Sequence, residues 1–161
     1  MQLNYWLLLA TGLIPLIIGF LWYNPSIMGK HWLNTVGITD EVMKGANMPV
    51  IFILTYVFGC MLSLGLHVMV IHQMAIASIF ANDKSADSLQ VMDNFFKQYG
   101  TRFRTFKHGV FHGILGALFI ALPVIGTNAI WARKGATYIF IHVGYWLICM
   151  ALMGGIICAF M

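Results

Sequence analysis

Histidine supplies the side chains in this sequence with the clearest capacity for chemistry. His67, His108, His112 and His142 stand in or beside long apolar tracts, with His72 five residues beyond His67. His108 and His112 are four residues apart, so on a helix they project from one face, the spacing that two metal ligands on one helix need. His67 and His72 fall toward the end of the preceding tract, on the same side as the start of the tract holding His108, and either could supply a further ligand. His67, His108 and His112 are therefore the candidate ligand set for a transition metal or a bis-histidine haem. No cysteine or carboxylate completes the set. A packing role accounts for the same residues: His108 beside Lys107 at an interface, His67 and His112 bonded across helices.

Two further stripes are polar enough to face protein and not lipid. Tyr56, Gly59, Ser63 and His67 recur along one helical face, and Tyr138, His142, Tyr145 and Cys149 along another. Tyr56, Ser63, His142 and Tyr145 could line a pocket for a quinone or a lipid headgroup, or could join helices by hydrogen bonds. Neither stripe pairs a nucleophile with a base and an orienting group, so catalysis has little support. No Asp, Glu, Lys or Arg lies well inside an apolar tract, which removes the carboxylate relay of a classical ion-coupled carrier. A small transporter would have only His, Tyr and Ser to line its path.

The elements that must position these residues follow from composition. Of 161 residues, 60% are hydrophobic and 9% charged, too few charges to cover a soluble globule. The chain reads as one all-α integral membrane domain with four transmembrane helices, at about 3–23, 49–81, 106–129 and 137–160. The first, roughly 31 Å long, matches a bilayer core and lacks the basic start of a cleavable signal, so it should be retained. Asn24-Pro25 ends it, and Gly12, Pro15 and Gly19 within it imply packing on protein. The second would reach roughly 50 Å, so it must tilt, bend or project, with Gly65 as a possible flexing point. Thr39-Asp40-Glu41 resembles the start of a short surface helix, and Asn47 with Pro49 an N-cap and first turn.

Between the second and third tracts, Leu89, Met92, Phe95, Phe96 and Tyr99 recur opposite Gln90, Asp93, Asn94 and Lys97. That periodicity predicts a short amphipathic helix over about 87–99, lying on the membrane surface. The following Arg102-Phe103-Arg104-Thr105-Phe106-Lys107 interleaves basic and aromatic residues as a headgroup contact would. The net charge of +4 is thus lipid-facing, and nucleic acid is not an expected partner. Cys60, Cys149 and Cys158 sit in apolar tracts as small hydrophobes.

Small residues recur every four positions: Gly109, Gly113, Ala117 and Ala121 in the third tract, Ala151, Gly155 and Ala159 in the fourth. Such ridges allow close backbone approach. One can serve the contact between the last two helices, which a short turn makes antiparallel neighbours, leaving the other for a partner or a second copy.

Several strings carry a resemblance. Gly19-Phe20-Leu21-Trp22-Tyr23-Asn24-Pro25, then Gly29-Lys30-His31-Trp32 and Gly37, and later Asn128, Gly144-Tyr145-Trp146 and Met153-Gly154-Gly155 together resemble the bacterial membrane family numbered 1761 among domains of unknown function. The resemblance spans nearly the whole chain. It implies a small multi-helix protein of a bacterial inner membrane and supplies no activity, cofactor or catalytic residue. Residues and resemblance together predict an accessory or assembly subunit, or a homo-oligomer, partnered by the bilayer and by other subunits or itself. The alternative is a histidine-based haem-, metal- or quinone-binding protein. Five Lys and Arg on the side of the termini against four on the other lean toward cytoplasmic termini.

Overall fold

The computed structural model describes residues 3–161; Met1 and Gln2 lie outside the described residues. Four helices in this part are long and apolar enough to cross a membrane: Tyr5–Trp22, Met48–Val70, Phe106–Trp131 and Ala136–Phe160. In chain order the elements are α1 (Tyr5–Thr11), α2 (Ile14–Trp22), α3 (Gly29–Val36), α4 (Asp40–Lys44), α5 (Met48–Val70) and α6 (Gln73–Ile79). Then follow α7 (Ala86–Tyr99), α8 (Phe106–Gly116), a π-helical turn (Ala117–Ala121), α9 (Leu122–Trp131) and α10 (Ala136–Phe160).

Proline interrupts two of the four. Pro15 cannot donate a backbone hydrogen bond, and the chain breaks one turn earlier, between α1 and α2. Pro123 has the same effect on the third long helix, where the π turn Ala117–Ala121 absorbs the missing bond just before α9. The loop helices begin where the sequence indicates, with Thr39 capping α4 and Asn47 capping α5 by side-chain oxygens. Gly37 ends α3 in the left-handed region, at φ 71°.

The second apolar run departs from the continuous helix over 49–81. α5 stops at Val70, Ile71 turns to φ −110° and ψ 91°, and α6 starts at Gln73. The flex lies at Ile71 and His72, and not at Gly65. Two contacts favour a turn there: the Ile71 side chain is wholly buried, and the Gln73 amide donates to the carbonyls of Tyr99 and Arg102. Those bonds tie α6 to the loop after α7. α7 itself buries no residue fully; Met92, Phe95, Phe96 and Tyr99 are half-buried, and Lys97 pairs with Asp93 at 2.6 Å. Ser85 caps its start. The Ser88 hydroxyl and the Ser85 N–H, both donating to Asp83, hold that carboxyl below the usual carboxylate range.

α10 is the most buried of the long helices and forms the hub of the molecule. Its ridge meets that of α8 directly: a Cβ on Gly109 would strike the Gly154 carbonyl, one on Gly113 the Met150 carbonyl and Ala151, and one on Gly155 the Phe106 ring and Val110. Ala117 is fully buried, and Ala121 packs partly buried against the same core. Ala151 and Ala159 on α10 are half-buried. Gly109, Gly113, Ala151 and Gly155 are thus engaged within the chain. The core between the helices gathers Leu66, Val70, Ile71, Met150, Met153 and Ile157.

The α1–α2 segment is held by polar bonds to α5 and α10. Thr11 shares a hydrogen bond with buried Ser63, Tyr56 donates to the Leu9 carbonyl, and Tyr145 donates to the Pro15 carbonyl at 2.8 Å. Ser63→Ala is expected to lower thermal stability in detergent by about 1 kcal/mol at most, because Thr11 keeps the Leu7 and Leu8 carbonyls as acceptors. A loss above ~3 kcal/mol would show that this contact organises the helix pair.

Candidate metal centre

The break at Ile71 decides where the histidines go. By ending α5 and turning the chain, it sets His72 at the head of α6, over the first turns of α8. Thr105 caps α8 by accepting from the His108 N–H, which starts the helix so that His108 and His112 share the face toward His72. The three rings form a tight cluster. His108 and His112 have ring centroids 4.5 Å apart, and His72 lies 5.0 Å from the first and 4.7 Å from the second. The Nε2 atoms of His72 and His108 are 2.9 Å apart. One ligating nitrogen from each ring lies within 4.8 Å of the others.

Three nitrogens bound tetrahedrally at 2.0–2.1 Å stand roughly 3.3 Å from one another. Rotamer adjustment of exposed His72 and half-exposed His108 and His112 is enough to reach that spacing. Two rings come from one helix and the third, exposed His72, from a separate element, so the site is formed by tertiary structure and is reachable from outside. An outer layer is already in place. Phe103 stacks on His108 at 5.1 Å with 18° between planes, and it does so from a left-handed backbone, φ 64°. That conformation is costly for a bulky residue and marks a position the surroundings over-determine. Arg104 donates to the Cys158 carbonyl at the end of α10, which pins the loop to the helix bundle.

The set differs from the one drawn from spacing. His108 and His112 converge as their i, i+4 relation indicates, but the third member is His72, and His67 is outside the group. His67 lies one turn before the end of α5 and is 3% exposed, among the buried side chains of the core. The signal for His72 was the excess length of the apolar run: a helix too long for its task must turn, and the turn exposes whatever residue stands there. The polar stripe goes elsewhere. Tyr56, Ser63 and Tyr145 bond to α1 and α2, and Tyr23 shares a hydrogen bond with His142 Nδ1 at 3.3 Å. His142 Nε2 is buried without a partner. Trp22 and Lys134 were not singled out by spacing, yet Trp22 donates to the Ile141 carbonyl and Lys134 to the carbonyls of Thr35 and Val36.

The exit of α2 packs on the first half of α10: the Tyr23 and Tyr145 rings lie 5.3 Å apart and Gly144 faces the Trp22 ring. A family model described as "Protein of unknown function (DUF1761)" matches residues 6–158. The chain belongs to the DUF1761 family. No curated protein and no solved structure matches it. DUF1761 carries no assigned activity, so the chemistry of this member rests on its own side chains.

Proposed function

We propose that this DUF1761 protein is a multi-pass membrane protein that binds a divalent first-row transition metal, with zinc as the reference ion, through His72, His108 and His112. The convergence of three imidazoles from two elements carries the reading. Imidazole suits zinc, copper, iron and nickel alike, so the donor set defines a class of ion. Haem fits less well, because two axial nitrogens across a metal stand about 4 Å apart with a flat macrocycle between the rings. The His72 and His108 nitrogens are at 2.9 Å. In this reading the four long helices span the bilayer, α7 rests at its surface, and the termini and the metal site face the cytoplasm.

An accessory subunit or homo-oligomer, its small-residue ridges packing helices and α7 resting on the bilayer, is the other reading. With Gly109, Gly113 and Gly155 all taken up between α8 and α10, the histidine cluster is the stronger observation.

Purified protein in nanodiscs is expected to bind one Zn2+ per chain at pH 7.5, read by titration against a chelator of known affinity. Imidazole ligates only as the neutral ring, so protons compete with the metal and affinity falls as the solution is acidified. At pH 5.5 the affinity should be at least tenfold weaker. Substoichiometric binding, or affinity independent of pH across this window, would rule the site out.

A further inference from the structure

His72 belongs to two features at once. Besides its place in the metal cluster, it lines a cavity of about 530 Å³ between α6, α7 and the loop that follows α7. The other walls are mostly apolar: Ala75, Ile76, Phe95, Tyr99 and Phe103. The one charged side chain among them is Arg102. Its guanidinium lies over the rings of Tyr99 and Phe103, at 5.5 and 5.3 Å. The ion pair among the described residues joins Lys97 to Asp93, so Arg102 has no carboxylate partner there.

Gln73 shapes the end of this space. Its amide is spent on the carbonyls of Tyr99 and Arg102, so it holds the loop closed and offers its donor to no ligand. Phe103 forms a wall shared by the cavity and the metal cluster, since its ring faces His108. His72, one member of the histidine cluster, Phe103, which packs on a second, and the Arg102 guanidinium thus stand together in the wall of one mostly apolar cavity.

We propose that this chamber binds an amphiphile with an oxyanion head, the head ligating the metal beside Arg102 and the apolar tail lying between α6 and α7. The inference rests on the metal reading given above. Charge complementarity selects the head: a metal with three neutral ligands keeps its positive charge, and the guanidinium adds a second cation with fork geometry for carboxylate or phosphate. The walls select the tail, because a small hydrated anion would leave the aromatic and aliphatic surface uncovered. A carboxylate from a fatty acid and a phosphate from a lipid share this chemistry.

The test uses Co2+ in place of zinc, because its visible bands report a change of ligand. Wild-type protein in phosphatidylcholine nanodiscs is loaded with Co2+ and titrated with acetate, decanoate and decyl phosphate. Decanoate or decyl phosphate should shift the bands at least tenfold more tightly than acetate, and the tighter of the two identifies the head. Arg102→Gln should weaken the long-chain ligand at least tenfold with Co2+ content unchanged. Ala75→Phe, which fills the chamber, should weaken decanoate and leave acetate as it was. Equal affinity for acetate and decanoate, or unchanged decanoate binding in both variants, with Co2+ bound, overturns this proposal alone. Failure of the wild type to bind Co2+ overturns the metal reading and this one with it.

Discussion

His108→Ala is expected to weaken Zn2+ binding by at least ~100-fold, given that loss of a residue that only orients a ligand costs 10–100-fold at such sites. His108 is the central member: its Nε2 is 2.9 Å from His72 and its ring packs on His112. Without it, the remaining two histidines sit on different elements. His72→Ala and His112→Ala should behave in the same way. His67→Ala should retain one equivalent of metal at unchanged affinity, because His67 is buried in the core and outside the cluster. The pair of results separates two ligand sets that the sequence leaves open. Loss of metal in His67→Ala with retention in His72→Ala would restore the set drawn from spacing. Circular dichroism and elution from a sizing column supply the folding control for each variant.

Gly113→Val is expected to prevent correct assembly of the bundle, with a cost above ~3 kcal/mol, at the severe end of overpacking. A Cβ at this position would overlap the Met150 carbonyl and crowd the Ala151 Cα. Those are backbone atoms of α10, so relief requires α8 to move away along its length. Gly65→Ala supplies the contrast, since a Cβ there meets nothing within 4 Å. It should be neutral or stabilising, by up to about 1 kcal/mol, as expected for glycine replaced inside a helix. Thermal unfolding followed by sizing chromatography measures both. Equal stability of Gly113→Val and wild type would mean that α8 and α10 do not meet along this ridge.

Metal binding and bundle packing are linked through α8. His108 and His112 occupy one of its faces, Gly109 and Gly113 the adjoining one. A variant that shifts α8 relative to α10 therefore also moves two of three ligands, and Gly113→Val should lose metal along with stability. His108→Ala, by contrast, should lose metal and keep the fold, because half-exposed His108 lies outside the buried core.

The sequence alone determined the class of the molecule, four long apolar helices, and the Asn47 cap that starts the second of them. These are local matters: hydrophobic length sets the helices, Asn47 and Pro49 set one beginning, and the 3.6-residue period sets which side chains share a face. The pairing of His108 with His112 was legible for the same reason. The third ligand was not. Whether His67 or His72 joins the cluster depends on where an overlong apolar run turns, and no local propensity marks Ile71 as the place. That turn is settled by burial of Ile71 in the core and by the bonds of Gln73 to a loop some thirty residues away. Nor does periodicity say that the small-residue ridges of the last two long helices meet each other. Only packing decides which faces are spent inside the chain, and only packing set His72, Arg102 and Phe103 around one chamber.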